Sequence, residues 1–147
     1  MTFLSGGADK TVRLYDASNG GELRQFAGAE GSVYSVAFHP QGQLIAGCGI
    51  DKKVRLWNVI SGQPANTLAG HTDDVYRVQF NPAGTRLLSI GYAGSLRIWD
   101  VSTGKSVYTT KLPVALYSGC YSTDGKKVAL TANDAKTYIV DLPQQAH

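Results

Sequence analysis

Three histidines, His39, His71 and His147, are the side chains best suited to metal or acid–base chemistry, and none has a His, Cys or carboxylate partner at ligand spacing such as HxxxH or HExxH. No metal or cofactor site is expected. His71 reads as a structural residue, His39 as a turn residue and His147 as a terminal one. Cys48 and Cys120 stand 72 residues apart, too far for a CxxC pair, and read as small buried hydrophobes. The many serines lack a GxSxG elbow. Gly47-Cys48-Gly49 ahead of Asp51-Lys52 resembles a phosphate loop, but no helix follows for it to open, so it reads as a hairpin turn. Asp73-Asp74 could be an acid–base pair and reads as a solvated turn. No enzymatic activity is expected.

The elements that position these residues are set by a repeat. DKTVRLYD (Asp9 to Asp16), DKKVRLWN (Asp51 to Asn58), AGSLRIWD (Ala93 to Asp100) and DAKTYIVD (Asp134 to Asp141) step by 42, 42 and 41 residues. Such a period marks a repeat architecture. Within it, VYRVQF (75 to 80) alternates as a strand, Asn81-Pro82-Ala83-Gly84 turns, Arg86 to Ser89 is a second strand, Ser95 to Trp99 a third and Lys105 to Thr110 a fourth. With strands a to d in each full unit, the chain reads bcd (2–27), abcd (28–69), abcd (70–112) and abc (113–142), followed by a tail at 144–147. The fold class is all-β, in four-stranded antiparallel meanders.

Composition agrees. The chain has 147 residues, 43% hydrophobic and 17% charged, with 17 Gly and 8 Tyr, a globular balance suited to short strands and tight turns. The net charge of +3 is dispersed, which speaks against a nucleic-acid footprint. No apolar stretch is long enough for a bilayer and no signal-like start is present, so no membrane partner is expected; the compartment stays open, with the cytoplasm as default.

Gly70-His71 opening a unit and Trp99-Asp100 closing its third strand, with the variants Trp57-Asn58 and Tyr15-Asp16, resemble the WD-repeat β-propeller family over residues 3 to 142. The resemblance implies blades packed radially round a channel. It also implies a buried hydrogen-bond chain of His, Ser or Thr, Trp and a turn Asp. Mapped here, the third unit has His71, Ser89 and Trp99 with Ala93 in place of Asp. The second has Asp51 and Trp57, with Ala29 for His and Gly47 for Ser. The first has Ser5, Asp9 and Tyr15, and the last only Asp134. Blade stability is therefore expected to lean on apolar packing. Arg13, Arg55 and Arg97 share one register and read as side chains whose stems cover apolar neighbours while their charges reach solvent; a phosphate-binding stripe is the alternative.

The resemblance further implies a non-enzymatic scaffold that binds protein or peptide partners on the loop face round the channel. The implied contact positions are Tyr34, Tyr76 and Tyr117; Ser32, Asp74 and Ala115; and Ala8, Ile50, Tyr92 and Asn133. Tyrosine supplies large contact area at little entropy cost, and equally suits inner-strand packing, so both readings stand. The bcd start and abc end lead to the expectation that these residues are the C-terminal half of a larger propeller of bacterial type, with seven blades as an example, the remaining blades coming from upstream sequence. Homodimeric closure is disfavoured by strand register. The alternative function is the C-terminal sensor or targeting propeller of a bacterial multidomain enzyme such as a protein kinase.

Overall fold

Alternating side chains between Gly- and Asp-rich turns produce fourteen short strands in the computed structural model, which describes residues 1–147. The first sheet is β1 (Thr2–Gly6), β2 (Val12–Asp16) and β3 (Glu22–Phe26). The second is β4 (Val33–Phe38), β5 (Leu44–Gly49), β6 (Lys53–Asn58) and β7 (Pro64–Ala69). The third is β8 (Val75–Phe80), β9 (Arg86–Gly91), β10 (Ser95–Asp100) and β11 (Ser106–Lys111). The fourth is β12 (Leu116–Tyr121), β13 (Lys127–Ala132) and β14 (Thr137–Asp141). Each sheet pairs consecutive strands antiparallel, in the order in which they occur along the chain. The fold is all-β, a partial β-propeller.

The sheets stack through three cores rather than one. Val12, Leu14 and Phe26 of the first sheet meet Ile45 and Trp57 of the second. Ala46, Val54, Leu56 and Leu68 on the other face of the second sheet meet Val78, Phe80, Leu87 and Trp99. Leu88, Ile90, Leu96 and Ile98 then meet Leu116, Val128 and Leu130. Both middle sheets are thus apolar on both faces, and each such buried side chain contributes about 1.5–3 kcal/mol. Tyr15, which holds the register of Trp57 and Trp99 against the neighbouring strand, instead stacks on the exposed Phe3 at 4.9 Å, on the face of the first sheet turned away from the second.

One expectation is corrected here and two others are filled in. Cys48 is buried between the second and third sheets, but Cys120 is exposed. Its neighbour Gly119 faces the third sheet, where a β-carbon would meet Ile90 and Leu130, so alternation turns Cys120 outward. His39 is more than a turn residue: it is buried, its Nε2–H donates to the Gly84 carbonyl at 3.0 Å, and its ring meets Phe80 edge-on, tying the second sheet to the third. The tail is also built in. Gln144–Ala146 forms a 3-10 turn packed on β10 and β11, with Ala146 fully buried and the Gln145 carbonyl accepting from Arg86 Nε at 3.1 Å.

Candidate tyrosine surface

The first strand of each sheet from the second onward begins with the same irregularity. In β4, Val33 pairs with Gly49 and Ser35 with Cys48, leaving Tyr34 without a partner. In β8, Tyr76 falls between the paired Val75 and Arg77, and in β12, Tyr117 falls between Leu116 and Ser118. Each tyrosine is the extra residue of a β-bulge, a device that takes a side chain off the pleat and re-aims it. Period-two reading of VYSVAF and VYRVQF did not disclose this, because a bulge leaves the residue types unchanged.

The re-aimed rings meet. Tyr76 lies 5.3 Å from Tyr34, 5.3 Å from Tyr92 and 6.4 Å from Tyr117, and Tyr92 lies 6.3 Å from Tyr117. Tyr34, Tyr92 and Tyr117 are 46%, 44% and 48% exposed, so the cluster is a surface rather than a core. Tyr76 at its centre is half-buried, and its phenol is raised above the ordinary value, first by burial and then by Tyr34, the Asp74 carboxylate and the other two phenols.

Backbone bonds hold the surrounding loops. The amides of Ile50, Tyr92 and Asn133 donate to the carbonyls of Ser32, Asp74 and Ala115 at 3.1, 2.9 and 3.0 Å. Except for Ala8, the second and third groups of candidate positions are therefore bonded pairs, one each for the second, third and fourth sheets. Asn133 Oδ1 also accepts from the Ala115 amide at 3.2 Å. Ile50 is exposed and lies over Gly31, while Ala8 is exposed on the first sheet. Neither belongs to the aromatic cluster.

The WD domain, G-beta repeat family model matches residues 20–58 and 62–100, more than half of the chain. The chain belongs to the WD-repeat family. Each matched WD repeat supplies the last strand of one sheet and the first three of the next, β3 to β6 and then β7 to β10, so every repeat stitches two sheets together. Repeats of this family generally mediate protein–protein interactions. No curated protein matches the chain.

In the second WD repeat, Trp99 Nε1 donates to Ser89 Oγ at 2.7 Å, and Ser89 Oγ lies 2.6 Å from His71 Nε2. His71 Nδ1 lies 2.9 Å from Ser95 Oγ, a partner that sequence reasoning missed. Burial, aided by Arg97, pushes the His71 pKa down to about 4, so the ring is neutral at pH 7. Where the family places Asp, Ala93 offers only its amide, which donates to the Asp73 carboxylate.

In the first WD repeat, Trp57 turns elsewhere: its Nε1 donates to the Ala27 carbonyl at 2.8 Å. Arg55 is buried, contrary to the expectation that its charge reaches solvent, and it bonds Asp51 and, at 3.2 Å, Glu30. Asp51 also accepts from the Glu30 amide at 2.9 Å. Burial alone would raise the Asp51 carboxyl, but these bonds hold it below its ordinary value. The missing His and Ser are therefore replaced by other polar partners, not by apolar packing alone. The same pair recurs as Asp9 with Arg13 at 2.6 Å and as Asp134 accepting from the Tyr138 hydroxyl at 2.7 Å. In the third sheet, lacking the Asp, Arg97 lies over Trp99 at 5.7 Å. The Ser5 hydroxyl makes no hydrogen bond.

Proposed function

We propose that this chain is a non-enzymatic interaction scaffold whose partner-binding surface is the loop face carrying Tyr34, Tyr76, Tyr92 and Tyr117, with Ser32, Asp74, Ile50 and Asn133 at its rim. The observation that carries the reading is the repeated bulge. Inner-strand packing would bury a tyrosine in the pleat, whereas three bulges lift three tyrosines out of it and join them to a fourth. Ring-on-ring contact restricts the side chains before a partner arrives, which lowers the entropy cost of binding, and tyrosine is a favoured anchor in interfaces.

Protein or peptide is the partner class. The exposed Phe3–Tyr15 stack on the first sheet supports the packing of a further blade there, since the equivalent Trp57 and Trp99 are each covered by the sheet before them. Selection of peptides from a random library on the immobilised protein tests the loop-face reading. Binders are expected to lose at least about tenfold in affinity when Tyr76 and Tyr92 are both replaced by alanine. Unchanged binding by a folded double variant overturns it.

A further inference from the structure

We propose that the tyrosine cluster receives a cationic side chain, an arginine or lysine of a partner peptide, over the rings of Tyr76, Tyr92 and Tyr117 and beside the carboxylate of Asp74. This rests on the loop-face reading above and states which chemistry that face selects.

Charge at the site carries the inference. An aromatic face presents negative charge density, and a cation within about 6 Å of a ring centroid is attracted to it. Here the rings of Tyr76, Tyr92 and Tyr117 lie within 5.3 to 6.4 Å of one another, with Tyr34 5.3 Å from Tyr76 alone, so one cation placed among the three can meet more than one ring. Asp74 stands two residues before Tyr76 and is bonded through its carbonyl to the amide of Tyr92, which ties its backbone to the cluster. Its carboxylate makes no side-chain hydrogen bond and takes part in none of the eight ion pairs of the chain. By contrast Asp9, Glu22, Glu30, Asp51, Asp100, Asp134 and Asp141 each have a cation, and the carboxylates of Asp16, Asp73 and Asp124, although without one, each accept hydrogen bonds.

Of the chain's own cations Arg77 stands nearest in sequence, one residue after Tyr76 on β8, but it forms no ion pair with Asp74 and its Nε is buried. Lys111 ends β11, the edge of the third sheet opposite to β8, three strand spacings or roughly 14 Å across. Arg97 is engaged by Trp99 and Thr109. Lys10, Lys52 and Lys136 belong to the β1–β2, β5–β6 and β13–β14 turns of other sheets. An anionic ligand such as a phosphate is disfavoured by the same field: Asp74 and the neighbouring phenols already oppose negative charge on Tyr76.

The test is titration of the protein with the peptides Ac-GGRGG-NH2, its citrulline isostere and Ac-GGEGG-NH2, read by NMR of the tyrosine ring resonances. The arginine peptide is expected to shift the rings of Tyr76, Tyr92 and Tyr117 and to bind about fivefold or more tightly than citrulline, which has nearly the same shape without the charge. Asp74→Asn, a surface change that spares the fold, is expected to remove most of that difference. Equal binding of citrulline, preference for the glutamate peptide, or no ring shifts overturns the proposal. Library binders that depend on Tyr76 and Tyr92 but contain no basic residue also overturn it, while leaving the loop-face reading intact.

Discussion

The carboxylate of Asp51 receives the guanidinium of Arg55 four residues further on, with both side chains less than a tenth exposed. The pair joins the β5–β6 turn to the third residue of β6, and it reaches Glu30 on the connection between β3 and β4. Removing one partner of a buried pair leaves the other uncompensated, whereas removing both need not. Asp51→Ala is therefore expected to destabilise the protein by about 2–4 kcal/mol in urea unfolding, and the Asp51→Ala/Arg55→Met double variant to recover part of that loss. A double variant no more stable than the single one would show that the pair does not act as a unit.

Restoring the family's serine in the second sheet is expected to harm rather than help. A β-carbon at Gly47 would lie 3.0 Å from Trp57 Cζ3 and 3.3 Å from Val12 Cγ2, both in a packed core, and the Trp57 N–H is already satisfied by Ala27. Gly47→Ser should cost about 1–3 kcal/mol through overpacking, measured by the thermal midpoint. A raised midpoint would mean that Trp57 can turn to the new hydroxyl.

The hairpin turns provide an opposed pair. Ala135 holds φ at 62° where the third sheet has Gly94 at 91°. Ala135→Gly relieves a left-handed alanine and is expected to stabilise by about 0.5–1 kcal/mol. Gly94→Ala should destabilise by about 2 kcal/mol or more, since its β-carbon would also run into the carbonyl oxygens of Leu112 and Val114. Equal effects of the two substitutions would refute the account.

Acid should weaken the protein first through His71. The unfolded ring takes up a proton near its ordinary value of 6.5, while the folded ring refuses one until about 4. Protons then bind preferentially to the unfolded chain in that window, so stability is full above it and falls as pH drops from 6.5 to 4, by on the order of 3 kcal/mol. Asp9 and Asp100, held down to about 2 chiefly by hydrogen bonds from Arg13 and Ser102, act at lower pH. Urea unfolding at pH 7 and pH 4.5 should show a clear loss that His71→Gln largely abolishes; an equal loss in the variant would assign it elsewhere.

Much of the fold was legible because two periods are superposed in the chain. Alternation marks the strands, and the step of 42, 42 and 41 residues marks which strands are equivalent, so Tyr34, Tyr76 and Tyr117 could be aligned without coordinates. The readings that failed concern burial. Arg55 and Arg13 share a register, yet Arg55 is buried and Arg13 only partly so, because the first sheet packs on that face of the second while no sheet packs on the same face of the first. Cys48 and Cys120 differ for a similar reason, the latter lying on the outer face of the last sheet.

By itself, then, the sequence determined the repeat and the strands, since these follow from local periodicity and turn chemistry, whereas the loop positions of the tyrosines came from the resemblance of those repeats to the WD-repeat family. Only the tertiary structure decided that the tyrosines leave the pleat and touch one another, that Trp57 bonds Ala27, and that Ala146 is buried. Those are contacts between segments remote along the chain or shifts of one residue in pairing, and neither alters the local pattern that a sequence displays.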